Sequence, residues 1–168
     1  MNKDDLQYIL SRNDEWIRGA DQKVSIFLAF QGVVLTILLP GLYSWFSENY
    51  FILPCETLYL SGLGLVLMFF GIIEAAGVII PRLNNTSPKK SFLYFGDIAG
   101  KDLSEYKKEL NLVTNEKFED ELINQIHMLS KISTRKHRHF KYSIVFFLSG
   151  VFFLLAGLIA YFFSYGYL

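Results

Sequence analysis

The stretch Trp16–Lys23, WIRGADQK, puts one large aromatic ring, two cations and a carboxylate close together. An aromatic face can stack on a base, and Arg18 and Lys23 can hold a phosphate, so such a set can hold a nucleotide. The same residues also suit an interfacial helix in which Arg18 pairs with Asp21, Trp16 packs and Lys23 snorkels. A second set lies in Ser91–Gly100, SFLYFGDIAG. There Gly96 permits a positive φ or a close backbone approach, and Asp97 can meet a ligand hydroxyl or base edge. Alternatively Phe92, Leu93, Phe95 and Ile98 plug a helix bundle as a small buried strand or turn, with Asp97 capping a turn.

Two further polar residues sit on apolar ground. Gln125 falls on the stripe Phe118, Leu122, Leu129, Ile132. A buried amide without partners costs about 1–3 kcal/mol, so Gln125 is expected to bond to something specific. Glu74 interrupts the apolar run Thr57–Ile80. A carboxylate within a membrane span is costly and is by default a functional hypothesis. It can line a pore or hold a proton, or it can reach the headgroups and pair with Lys23 or Arg18. His137 and His139 are two apart and point in different directions on a helix, so with His127 they make no metal site. The single cysteine, Cys55, excludes an internal disulfide. No Ser/His/Asp set, P-loop or paired-carboxylate site is present, and no enzyme, metal or cofactor is expected.

The elements that must position these residues are membrane helices. The chain is 52% hydrophobic and 19% charged, against about a quarter charged in soluble domains. Three runs qualify as spans, which need about 20 residues: Val24–Leu39, Thr57–Ile80 and Tyr142–Phe163. The first is short and contains Gln31. It reaches full length only with the Ser-Trp-Phe after Pro40-Gly41 in the interface. Gly62, Gly64, Gly71 and Ala75 in the second permit close helix contact.

All 16 Lys and Arg fall within 1–23 or 82–141. The positive-inside rule then puts the N-terminus and the long loop in the cytoplasm, with 40–56 and the C-terminal SYGYL outside. No cleaved signal peptide is expected, because the first 23 residues mix both charge signs. The sequon at Asn84 lies on the cytoplasmic side in this topology and carries no glycan there. TRKHRHFK, before the third span, suits an anchor to anionic lipid.

Outside the membrane, residues 2–23 form a helix that runs into the first span. Leu6, Leu10, Ile17, Ala20 and Val24 make its apolar stripe, and Asp14, Arg18, Asp21 and Ser25 a polar one. PRLNNTSPKK breaks helix after the second span. Asp102 with Glu105 three later caps a short helix. Thr114 or Asn115 then caps one long helix from about Glu116 to Phe163, roughly 70 Å in length. The expected fold is an all-α membrane protein with three spans, N-in and C-out. Its first and third helices extend into a cytosolic bundle, with a short helix-loop insertion between spans 2 and 3. The segments are a cytosolic helix (1–23), a transmembrane hairpin (24–81), a cytosolic sensing region (82–141) and a third span (142–168).

Several fragments follow one another in a recognisable order. These are WIRGADQKVS before a span, PRL after the next, SFLYFGDIAG before SEY, and QIHMLSKISTRKHRHFK before the last span. In this order the chain resembles the Pycsar effector transmembrane family, although Val24 stands where members typically carry alanine after the lysine. The resemblance implies a bacterial antiphage protein of the inner membrane, switched on by cyclic CMP or cyclic UMP from a partner pyrimidine cyclase. It implies a ligand site of Trp16, Arg18, Asp21, Lys23, Phe95, Gly96, Asp97, Gln125 and Lys131. In it Trp16 or Phe95 stacks the base, and Lys23, Arg18 or Lys131 holds the cyclic phosphate. Asp97, Asp21 or Gln125 reads the base edge or the ribose hydroxyl. Three spans are too few to wall a pore, so a homo-oligomer that disrupts the membrane and stops growth is expected, with no nucleic-acid partner. The alternatives are a membrane scaffold that recruits a protein partner, and a small ion channel or transporter subunit built around Glu74.

Overall fold

The computed structural model describes residues 2–49, 53–80 and 91–164. The helix-breaking stretch 81–90, with its Asn84 sequon, and the tail after Ser164 lie outside the described residues. Among the described residues five helices follow in order: α1 (Lys3–Asn49), α2 (Cys55–Ile79), α3 (Phe95–Ala99), α4 (Leu103–Asn111) and α5 (Asn115–Ser164). Three of them, α1, α2 and α5, are long and apolar enough to cross a membrane. The protein is an all-α, multi-pass membrane protein.

Two expectations about the elements are corrected. The first span does not end at Pro40, because α1 runs through it to Asn49 and most of the expected 40–56 loop is helical. A proline inside a helix removes one backbone bond. In an apolar setting the remaining backbone groups have no partner but the helix itself, so the helix continues. The patch at 92–98 is neither strand nor buried plug. It is a bend followed by the short helix α3, on which Phe95 is 64% exposed.

The chain divides into two units. The first comprises Met1–Gly19 and Pro81–Arg135. In it the start of α1 and the start of α5 bury Leu6 and Leu122. Asn13 Nδ2 donates to Ser130 Oγ at 3.2 Å, and the Lys3 ammonium sits 4.5 Å from the centre of the Phe118 ring. Asp102 caps the start of α4, its carboxylate accepting from the Ser104 hydroxyl at 2.6 Å and the Ser104 N–H at 3.1 Å. These bonds stabilise the ionised form, so the Asp102 carboxyl titrates below its ordinary range. Thr114 caps α5, accepting from the Lys117 N–H at 3.3 Å. Lys101, whose side chain is 8% exposed, pairs with Glu109.

The second unit comprises Ala20–Ile80 and Lys136–Leu168. It is a three-helix bundle. Val24 of α1 and Ala75 and Val78 of α2 form one buried cluster, against which Phe140 of α5 packs. Met68, Phe147 and Leu154 form another. The buried face of α2 is Thr57, Ser61, Gly64, Met68, Gly71, Ala75 and Val78. Small residues on it let the α5 backbone approach. A Cβ on Gly64 would lie 2.7 Å from the Gly150 carbonyl oxygen, and one on Gly150 would lie 2.6 Å from that of Gly64. Gly62, by contrast, faces open space and takes no part in this contact. Deeper in the bundle, Gln31 donates to Ser143 Oγ at 3.3 Å, and that hydroxyl donates to the Gly71 carbonyl at 2.7 Å.

Candidate functional site

A serine hydroxyl offers one donor and two acceptor positions, and at Ser91, 5% exposed, three N–H groups share the acceptor side. Its Oγ accepts from the Leu93 N–H at 3.0 Å and the Tyr94 N–H at 2.9 Å, closing the turn that leads into α3. The same oxygen accepts from Gln125 Nε2 at 3.1 Å and donates to Glu121 Oε1. The Ser91 backbone N–H donates to Asp97 Oδ2 at 2.8 Å. Gln125 also donates to Glu121 Oε1 at 3.2 Å. Ser91 thus joins Asp97 of the patch to Gln125 of α5, two residues expected at one site. The specific partner required by Gln125 is present, and it is protein. Around this hub Tyr106 Oη donates to the Phe92 carbonyl at 3.1 Å, and the Phe92 and Phe118 rings lie 6.4 Å apart.

Gly96 does not take a positive φ. It lies within α3, and a Cβ there would meet the Tyr94 ring at 2.6 Å. The close approach it permits is by a side chain and not by backbone. Phe95 lies against Tyr94, ring centres 4.7 Å apart, with most of its surface open. Trp16 is also exposed, at 54%, and so is Lys131. Arg18, its side chain 80% exposed, pairs with Asp14 at 3.0 Å and not with Asp21. The i,i+4 partner one turn back competes successfully with the i,i+3 one ahead, because Asp21 is engaged by Lys136. An exposed pair of this kind holds Arg18 weakly.

The remaining candidates belong to the second unit. Asp21 pairs with Lys136 there. Lys23 stands with Ile26, Phe27, Phe30 and Phe140 around an open groove. Among the described residues no ion pair joins Glu74 to Lys23. Glu74 Oε2 lies 2.6 Å from His139 Nδ1, because α5 brings His139 to the same level of the bundle. Among the described residues no cluster of His, Cys, Asp and Glu has the make-up of a metal site.

Sequence reasoning missed Ser91, Glu121 and His139. Glu121 precedes Gln125 by four, the spacing of facing helical side chains, and that was a readable signal. A serine opening a turn before FGD was a weaker one.

The model of one family, described as the Pycsar effector protein domain, matches residues 5–163. Neither a curated protein nor a solved structure matches the chain.

Proposed function

The chain belongs to the Pycsar effector protein family, and from that premise we propose that it is an antiphage effector of the bacterial inner membrane, activated by cyclic CMP or cyclic UMP from a partner cyclase. The observation that carries this reading is the extent of the match, from the start of α1 to the end of the third apolar helix. The cations outside the spans favour a cytoplasmic N-terminus.

The first unit is the sensor in this reading. Trp16 and Phe95 offer exposed rings for the base, and Arg18 and Lys131 offer exposed cations for the cyclic phosphate. Asp97 and Gln125, joined through Ser91, are the groups for the base edge or ribose. Asp21 and Lys23 have other surroundings in the second unit and stay outside the proposed ligand set. Helices α1 and α5 each contribute unbroken helix to both units. A ligand that favours one packing of the sensor therefore acts on the two helices that continue as spans. Homo-oligomers then breach the membrane, since three spans per chain are too few to wall a pore.

Calorimetric titration of the full chain in detergent with cyclic CMP and cyclic UMP tests this, together with growth on co-expression of a pyrimidine cyclase. Saturable binding of one nucleotide is expected, weakened about tenfold or more by Arg18→Ala or Lys131→Ala, the scale of one charge-assisted hydrogen bond. Binding of neither nucleotide, with unimpaired growth beside the cyclase, overturns it. The Glu74–His139 pair within the helical bundle favours a second reading, an ion-conducting subunit. That reading requires flux in liposomes without nucleotide, abolished by Glu74→Gln.

A further inference from the structure

Lys23, Ile26, Phe27 and Phe30 stand at i, i+3, i+4 and i+7 of α1 and so share one face. With Phe140 of α5 they line an open groove of about 440 Å³. The Phe27 ring packs edge-on against Phe140 at 6.0 Å and lies 6.2 Å from Phe30. Four of the five lining side chains have no polar atom. The fifth, Lys23, supplies one cation at the end of the row.

The nearby acids do not neutralise that cation. Asp21 is paired with Lys136 and Glu74 with His139, and among the described residues no carboxylate pairs with Lys23. Exposed Arg138 and Lys141 on α5 add further positive charge to the same unit. A free nucleotide would find no partner in these walls for its ribose or base edges. An amphiphile with an anionic head finds both parts it needs.

We propose that this groove is a binding site for an anionic phospholipid, with the phosphate on Lys23 and one acyl chain laid along Ile26, Phe27, Phe30 and Phe140. The path from Lys23 to Phe30 rises about 10 Å, within the roughly 15 Å depth of one hydrocarbon leaflet. The inference stands independently of the nucleotide-sensing reading, because it uses a different unit and a different ligand.

Native mass spectrometry of the full chain, released from detergent micelles doped with phosphatidylglycerol or phosphatidylcholine, reads the site directly. Wild type retains a phosphatidylglycerol adduct in preference to phosphatidylcholine. Lys23→Gln lowers that preference about fivefold, the weight of one basic side chain at an anionic surface. Phe30→Ala lowers retention of both lipids, and Lys107→Gln, at an exposed position of the other unit, changes neither. Because Lys23 is exposed, its replacement leaves the helical circular dichroism intact. An unchanged phosphatidylglycerol preference in Lys23→Gln overturns the proposal. So does displacement of the lipid by glycerol phosphate at equal concentration, which would make this a site for free phosphate. Loss of cyclic-nucleotide binding in Lys23→Gln with lipid retention intact also overturns it, by returning Lys23 to the sensor.

Discussion

Replacing Ser91 with alanine tests the hub that joins the patch to α5. The change removes a methylene-borne hydroxyl and nothing else, so almost no volume is lost. What disappears is a charge-assisted donor to Glu121 and an acceptor shared by two backbone N–H groups and the Gln125 amide. A hydrogen bond to a charged group contributes about 1.5–3 kcal/mol, and a neutral one about 0.5–1.5 kcal/mol. Gln125 keeps its bond to Glu121, and water can reach part of the turn, so the losses do not sum in full. A local destabilisation of about 2–3 kcal/mol follows, which corresponds to roughly 30- to 150-fold in an opening equilibrium. Hydrogen exchange on the full chain in micelles reads it as faster exchange at the Leu93, Tyr94 and Ile98 amides. The amides of the α2–α5 contact stay protected, because the second unit is untouched. Ser91→Thr keeps the hydroxyl and recovers most of the protection. Wild-type exchange at Leu93 and Tyr94 in Ser91→Ala would refute the assignment of Ser91 as the hub.

Gly150→Ala places a Cβ against the Gly64 carbonyl and the Met68 backbone, neither of which can rotate aside. It destabilises the bundle by about 1–3 kcal/mol, seen as a lower midpoint in SDS titration, whereas Gly62→Ala, facing open space, leaves the midpoint where it was. A double-mutant cycle of Glu74→Gln and His139→Gln in the same titration gives a coupling of about 0.5–3 kcal/mol, the range for groups in direct contact. No coupling would mean the pair is not formed in the membrane. Asp102 titrates below an unfolded carboxyl, so its support of α4 is present above about pH 4 and is lost as pH falls through the lower folded value. Amide exchange at Ser104 and Tyr106 therefore rises on acidification, and Asp102→Asn, which cannot ionise, flattens that dependence.

Features decided by neighbours within a turn or two were legible in the chain. The caps at Asp102 and Thr114 depend on N–H groups two or three residues on. The apolar stripes needed only helical spacing, and Leu6, Ala20, Val24 and Leu122 on them are buried. The same spacing could have separated the glycines. Thr57, Ser61, Gly64, Met68, Gly71, Ala75 and Val78 recur every three or four residues, and Gly62 falls off that series.

Partners supplied by another helix were not legible. Ser91 reaches Glu121 across 30 residues, Glu74 reaches His139 across 65, and Asp21 reaches Lys136 across 115. Glu74 and Asp21 each have a cation nearer in sequence, and local spacing alone would choose it. In a bundle of long helices the neighbour across the interface is held in place by many packed side chains, and its contact orders few further torsions. A partner along the same exposed face must give up side-chain freedom for a screened attraction. That difference explains why Arg18, on an open face, pairs within its own helix, while Asp21, one turn further along α1, pairs with α5. At Asp21 and Glu74, near the ends of the apolar runs, the nearest charge in the chain is not the nearest in space.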